Sequence, residues 1–148
     1  MATRSVIIQK KDENFKAIYC HYDGDDRWPI LQEHYSTQEK VDELIKLWNL
    51  SRLWKDLWKD EWTGKFDKIN NWKLTQKQKD KYYNQCLAYW RDRECGWDKA
   101  TKYNNLEKID SDSYGAAYAY LFDWDSRSIA KCWYWDKSFL KKSMFKKI

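Results

Sequence analysis

Two pairs of β-favouring segments limit the folds open to this chain more than any other feature. The pairs are residues 5–10 (SVIIQK) with 15–21 (FKAIYCH), and residues 118–122 (YAYLF) with 129–135 (IAKCWYW). Polar, turn-forming residues separate the two members of each pair, a pattern typical of β-hairpins. The sequence therefore predicts one antiparallel hairpin near each end of the chain.

A helix start is encoded between the two hairpins. Ser36 and Glu39 have the S-x-x-E spacing of a capping box, in which each side chain bonds the other's free backbone amide. Apolar residues then follow at helical spacing, namely Val41, Leu44 and Ile45. This spacing predicts a helix over about residues 37–47 with one apolar side.

Together these elements predict a single α+β domain over residues 1–148. We expect an antiparallel sheet of about four to six strands, with one principal helix (about 37–47) packed on one face. A chain of 148 residues has the size of one ordinary domain with one hydrophobic core.

Several classes of protein are disfavoured by the sequence. No apolar run approaches the roughly 20 residues that span a bilayer, and the first residues lack the apolar stretch of a secretory signal. The four cysteines are widely spaced, with no pair at zinc-ligand spacing. We therefore expect no membrane partner, no metal and no cofactor, and a location in the cytoplasm of a host cell. Nothing in the sequence specifies an oligomeric state.

Tryptophan is unusually frequent and glycine unusually rare, with 11 tryptophans and 4 glycines. Trp48 follows the predicted helix and Trp124 lies at the predicted tip of the second hairpin, where glycine is the usual residue. Some genetic codes read UGA as tryptophan and others as glycine, so translation with the wrong table would produce this imbalance. We hypothesise recoded UGA codons, and native glycine, at eight positions: Trp28, Trp48, Trp54, Trp58, Trp62, Trp72, Trp97 and Trp124.

The same tryptophans also permit a literal interpretation. Trp48, Trp54, Trp58 and Trp62 fall near helical spacing, so the helix could continue to about residue 62 with an aromatic side. Such a side would pack in the core or bind a partner helix. The two interpretations differ in whether the helix ends near Trp48. If tryptophan truly occupies the eight positions, several of them should be exposed or strained.

Several segments resemble a family of small uncharacterised phage and prophage proteins. The matching segments are residues 18–24 (IYCHYDG), 29–35 (PILQEHY), 40–45 (KVDELI), 47–51 (LWNLS), 88–93 (AYWRDR) and the hairpin over 118–135. Those proteins typically read IYCHxDG, LLEHY, KVxxLIxLG and AYxRDRGE, and Trp28, Trp48 and Trp54 fall where the family has glycine. This chain departs in a shorter loop after Gly24 and in the pair Glu94-Cys95. The resemblance implies a phage or mobile-element context and does not imply a reaction.

Candidate binding residues cluster at the end of the second β segment: Tyr19, His21, Tyr22 and Asp23. With His34, the pair His21 and Asp23 has side chains suited to acid–base chemistry or metal binding. The alternative is that these side chains fix the local backbone by hydrogen bonds. Cys20 cannot form a nucleophilic pair with His21, because neighbours on a strand point to opposite faces. No catalytic residue is assigned.

A second set of candidate binding residues is Arg91, Asp92 and Arg93. On an extended segment the two arginines would share a face and could hold a phosphate or carboxylate. The alternative is a surface ladder of ion pairs with Asp92 and Glu94. Aromatic residues interleaved with lysine at 81–83 and 131–137 could stack on nucleic-acid bases, or form the half-buried faces of a sheet.

Three functions are consistent with these observations. The first is a non-catalytic phage or mobile-element accessory protein that binds and blocks a host factor, such as a CRISPR effector or a nucleotide second messenger. Its partner would be a host protein or a small nucleotide ligand. The alternatives are a nucleic-acid-binding module and a small hydrolase or ring-nuclease-like enzyme.

Overall fold

The computed structural model describes residues 3–22, 26–55, 57, 75–77, 86–89, 101–103, 116–133 and 142–147. In this part of the chain, eight strands form one sheet that carries two helices. The strands are β1 (Ser5–Lys11), β2 (Asn14–Cys20), β3 (Leu50–Arg52), β4 (Leu87–Ala88), β5 (Thr101–Tyr103), β6 (Tyr118–Asp123), β7 (Ser128–Trp133) and β8 (Lys142–Lys147). The helices are α1 (Trp28–His34) and α2 (Gln38–Ile45).

Strand β1 lies in the middle of the sheet. The strand order is β4-β3-β2-β1-β6-β7-β8, and β5 pairs with β2 beside the first half of that strand. β1 pairs with β2 in antiparallel fashion and with β6 in parallel fashion, and β2 and β3 are also parallel. The α+β class is confirmed, but the sheet is mixed and has eight strands in the described residues, so the predicted antiparallel sheet of about four to six strands is wrong.

Both predicted hairpins form. β1 and β2 pair from Ser5 opposite Cys20 to Lys11 opposite Asn14, and β6 and β7 pair from Tyr118 opposite Trp133 to Asp123 opposite Ser128. The turn between β1 and β2 consists of Asp12 (φ 52°) and Glu13 (φ 62°). Two successive left-handed residues match the right-handed twist of the flanking strands.

Two short helices replace the predicted single principal helix. α2 begins one residue later than the capping box suggests, because Thr37 accepts the bond from the Lys40 amide at 3.3 Å. α1 was not expected from the sequence. Pro29 lies in its first turn, where a proline's missing amide hydrogen costs nothing.

The sheet buries apolar side chains on both faces. The face that carries the helices, here called the helix face, is covered by Leu31 of α1 and by Val41 and Leu44 of α2. Strand residues of the helix face belong to the same cluster, among them Ile7, Ile18, Tyr120 and Phe122. A second cluster on the opposite face includes Val6, Ile8, Ala119, Leu121 and Ala130.

A buried arginine connects α1 to the sheet and to the segment after β3. Arg27 is only 4% exposed. Its Nη1 donates to the Leu53 carbonyl at 3.2 Å, and its guanidinium lies 4.9 Å from the centre of the Trp54 ring. Its backbone amide also donates to the Tyr120 hydroxyl at 3.2 Å. Because a buried charge is costly without partners, these contacts hold the three segments in one arrangement.

No helix in the described ranges is both long and apolar enough to cross a membrane.

The tryptophans at the eight hypothesised glycine positions can be examined at four sites. Trp28, Trp48, Trp54 and Trp124 are all half-buried, and Trp58, Trp62, Trp72 and Trp97 lie outside the described residues. α2 ends before Trp48, and β3 follows at once, so a single helix to residue 62 is wrong. Trp48 has φ 63°, the left-handed conformation that glycine adopts most readily.

The conformation of Trp124 does not support the hypothesis that this position is a glycine in the native protein. In the turn between β6 and β7 the left-handed residue is Arg127 (φ 51°), and Trp124 stacks on Phe122 with a ring separation of 5.9 Å. The expectation that several of these tryptophans are exposed or strained therefore holds at Trp48 alone among the four described sites. Trp48 is the position at which the recoding hypothesis has conformational support.

We predict that Trp48→Gly raises the free energy of unfolding by about 1 kcal/mol, because a left-handed residue with a Cβ is strained. The matched control is Trp124→Gly, which removes a packed ring and should lower the same quantity by roughly 1–3 kcal/mol. Urea unfolding followed by tryptophan fluorescence measures both. A loss of stability in Trp48→Gly similar to that in Trp124→Gly would show that the indole contributes more than the strain costs.

Candidate functional site

Three of the predicted binding residues lie together at the carboxyl end of β2. The Tyr19 hydroxyl and the His21 Nδ1 are 2.6 Å apart, and the His21 and Tyr22 rings meet edge to face at 4.5 Å. Parallel pairing with β3 continues past the strand, since the His21 amide donates to Leu50 and the Tyr22 amide to Ser51. Tyr22 is 44% exposed. We call Tyr19, His21 and Tyr22 the aromatic cluster.

The aromatic cluster is held by structural bonds. The Tyr19 amide donates to the Asn49 Oδ1 at 2.9 Å. Burial raises the pKa of the Tyr19 hydroxyl, although the neighbouring Arg4 acts in the opposite direction. A hydroxyl with a raised pKa stays protonated near neutral pH and can serve as a hydrogen-bond donor.

Cys20 lies between Tyr19 and His21 in the sequence, and its side chain packs in the core. Its side chain is fully buried, and burial raises the pKa of its thiol to about 12. The Leu53 amide and Arg27 both favour the thiolate but do not offset burial. A thiol of this kind remains protonated and is a poor nucleophile.

The other predicted site residues are not brought to the aromatic cluster by any described contact. Asp23, Arg91, Asp92 and Arg93 lie outside the described residues, as do residues 81–83. His34 ends α1, where its Nε2 lies 3.8 Å from a carboxylate oxygen of Glu33. Within the described ranges, no three His, Cys, Asp or Glu side chains are grouped closely enough to hold a metal ion.

A cavity of about 470 Å³ lies elsewhere, between the turn end of the β1–β2 hairpin and α2. The hairpin contributes Gln9, Lys11, Asp12, Asn14 and Lys16 to its wall. The helix side contributes Gln38, Asp42, Ile45 and Lys46. We call this space the hairpin cavity. Its volume falls within the range of roughly 300–1,000 Å³ that is usual for small-molecule sites.

A hydrogen bond between strand and helix forms part of the cavity wall. The Gln9 Nε2 donates to the Asp42 Oδ1 at 2.6 Å. Since an ionised carboxylate accepts only, this bond fixes which end of the Gln9 amide faces Asp42. The Gln9 Oε1 is buried and has no hydrogen-bond partner within the described part of the chain.

The turn between β1 and β2, which contributes Asp12 to the cavity wall, is held by a contact between the two hairpins. Asp125, in the β6–β7 turn, accepts from the Asp12 amide at 2.8 Å and from the Glu13 amide at 3.3 Å. Lys10 Nζ lies 3.8 Å from the same carboxylate. The two amide bonds, followed by Lys10, hold the pKa of Asp125 below its usual value of 3.8. Asp125 thereby stabilises two left-handed residues that carry side chains.

The hairpin cavity is not predicted by the sequence motifs, although one signal for it is present. Alternation along β2 places Lys16 on the same face as Ile18 and Cys20, which are buried. A lysine on an otherwise apolar face indicates that the face stops being core at that point. The helix residues of the cavity could not be assigned to it without knowing how α2 lies on the sheet.

We predict that Asp125→Asn lowers the free energy of unfolding at neutral pH, because the variant loses the charged acceptor of two amides. The pKa of Asp125 is depressed in the fold, so its stabilisation is present above about pH 4 and disappears as the pH falls through the lowered value. The difference between wild type and variant should therefore shrink in acid. Urea unfolding across this pH range measures it.

Glu13→Gln is the matched control, because it removes a carboxylate from the same turn and keeps the backbone amide that bonds Asp125. Its stability should follow that of the wild type at neutral pH. An Asp125→Asn difference that is constant with pH would contradict the assigned role of the carboxylate.

Comparisons of the chain with protein-family models, with curated proteins and with solved structures find no match in any of the three. The resemblance to phage and prophage proteins therefore stays a prediction.

Proposed function

We propose that this chain is a non-catalytic binding protein of a phage or mobile element, and that it sequesters a small host ligand in the hairpin cavity. It would act in the cytoplasm of the host cell and block a host factor by removing that ligand. The observation that carries the proposal is the polar cavity of about 470 Å³ between the β1–β2 hairpin and α2.

The construction of the cavity supports a binding role. Its walls come from a hairpin and a helix that are each packed on the core, the hairpin through Ile7 and Ile18 and the helix through Val41 and Leu44. Walls built on such elements keep their shape without a ligand, which reduces the ordering cost of binding. The amides of Gln9, Asn14 and Gln38 provide directional polar groups among the lining residues.

The observed contacts of His21, His34 and Cys20 favour this proposal over the hydrolase alternative. His21 bonds Tyr19, the His34 Nε2 lies 3.8 Å from a Glu33 oxygen, and the Cys20 thiol is protonated and buried. None of these contacts activates a nucleophile. The nucleic-acid alternative relied partly on residues 131–137, and the Lys131 ammonium in that segment lies over the Tyr118 ring at 4.8 Å.

We predict that Gln38→Trp weakens ligand binding at least about tenfold, by filling the cavity from its helix side. Gln38 is half-exposed at the first position of α2, so a larger side chain there should be tolerated by the fold. The assay is a thermal-shift screen of nucleotides, sugars, amino acids and short oligonucleotides. Hits are then measured by calorimetry on wild type and variant.

Lys40→Trp is the matched control, because Lys40 is exposed on α2 and is not part of the cavity wall. Binding by this variant should equal that of the wild type. Equal affinities in wild type and Gln38→Trp would place the ligand outside the hairpin cavity. Binding of oligonucleotides alone would favour the nucleic-acid-binding alternative.

A further inference from the structure

Three lysines line the hairpin cavity, and a fourth lies beside one of them on the next strand. Lys11 of β1, Lys16 of β2 and Lys46 after α2 line it. Lys102 of β5 lies directly opposite Lys16 in the antiparallel pairing of β2 with β5. Directly opposed residues of an antiparallel pair project from the same face of the sheet, so Lys102 extends the row of cations on the cavity side.

The two opposed lysines, Lys16 and Lys102, repel each other and destabilise the pairing of β2 with β5 when no anion lies between them. Lys16 and Lys102 are both exposed, and like charges directly opposite each other destabilise a pair of strands. Gln9 occupies the next position in the same cross-strand row, opposite Lys16 on β1. The row therefore has no acidic side chain at any of these three positions.

The four lysines differ from Lys10 in their ion pairing. Within the described residues, none of Lys11, Lys16, Lys46 and Lys102 forms an ion pair, whereas Lys10 of the same hairpin lies 3.7 Å from Asp123 and 3.8 Å from Asp125. Of the two aspartates in the cavity wall, Asp42 is engaged by Gln9 at 2.6 Å. The cavity wall thus holds three lysines and two aspartates, Asp12 and Asp42, and Lys102 beside it adds a fourth positive charge.

Amide side chains add a second kind of recognition. The Gln9 Nε2 is committed to Asp42, and the Asn14 Nδ2 donates to the Asp12 carbonyl at 3.2 Å. Gln38 reaches the cavity from the first position of α2. Carboxamides of this kind can both donate to and accept from a heterocyclic base.

We propose that the ligand of the hairpin cavity is a nucleotide with two or more phosphate charges, whose phosphates lie between the lysines and whose base meets the amides. This inference rests on the proposed binding function and names the chemical class of its ligand. Lysine ammonium groups are suited to phosphates as compact point charges, and several of them can share one polyphosphate.

The test measures calorimetric affinities for adenosine and guanosine, their mono-, di- and triphosphates, and inorganic pyrophosphate, at low and high salt. Affinity should rise with each added phosphate and fall as salt screens the lysines. The nucleoside diphosphate should bind more tightly than pyrophosphate, because only the nucleotide has a base for the amides. Equal binding of pyrophosphate would overturn the assignment of a nucleotide and leave a phosphate site.

Two variants test the lysines. Lys16→Gln and Lys102→Gln should each weaken nucleotide binding by roughly ten- to a hundredfold. Each should also raise the melting temperature of the free protein by about 1–3 °C, because one partner of a repulsive pair is removed. Lys40→Gln, on the outer side of α2, should change neither quantity. A lysine with only a structural role would not produce opposite changes in affinity and stability.

The outcomes separate this inference from the proposed function. Tight binding of an uncharged ligand that Gln38→Trp abolishes would keep the binding function and overturn the nucleotide inference. Nucleotide binding that Lys16→Gln and Lys102→Gln leave unchanged would likewise overturn it. Absence of binding by every compound in the screen would contradict both.

Discussion

The pairing of β1 on both sides is the constraint on which the rest of the fold depends. Ile7 of this strand is buried among the helix-face residues, and Val6 and Ile8 are buried on the opposite face. A strand buried on both faces must have partners at both edges, because its backbone groups cannot reach water. β2 follows β1 after a tight turn and pairs with one edge of it in antiparallel fashion. β6 pairs with the other edge in parallel fashion.

This arrangement places the two hairpin turns and α2 at the same end of the central strands. The turn of the first hairpin lies beside the turn of the second, where Asp125 accepts the amides of Asp12 and Glu13. α2 packs its apolar side on the sheet through Val41 and Leu44. Along β1 the helix-face residues change from Ile7 to Gln9 and then Lys11, so the helix covers a polar region as well as the core. The hairpin cavity is the space that results.

Local signals predicted the elements that depend on local interactions. The two hairpins and the helix before Trp48 follow from alternation, turn residues and the capping pattern, although Thr37 rather than Ser36 supplies the N-cap. α1 was missed because its seven residues include a proline and show little helical periodicity. The parallel pairing of β1 with β6 joins segments about a hundred residues apart, and no local pattern encodes it.

The candidate site was predicted only in part, because local patterns group residues that are close in sequence and not residues that the fold brings together. Tyr19, His21 and Tyr22 are close in sequence, so their grouping could be inferred, and the structure brings them together. Lys16 and Lys102 meet only through the register of β2 with β5, and Gln9 meets Asp42 only through the position of α2. Sites built across strands and helices require the tertiary arrangement, which sequence patterns do not specify.

The central claim is that a ligand occupies the hairpin cavity, and an NMR titration tests it most directly. Isotope-labelled protein is titrated with a nucleoside triphosphate while backbone and side-chain amide signals are followed. The account predicts that the largest shifts occur at Gln9, Asn14, Lys16, Gln38 and Lys102, with small shifts at Tyr19, His21 and Tyr22. The largest shifts at the aromatic cluster, with the cavity signals unchanged, would contradict it.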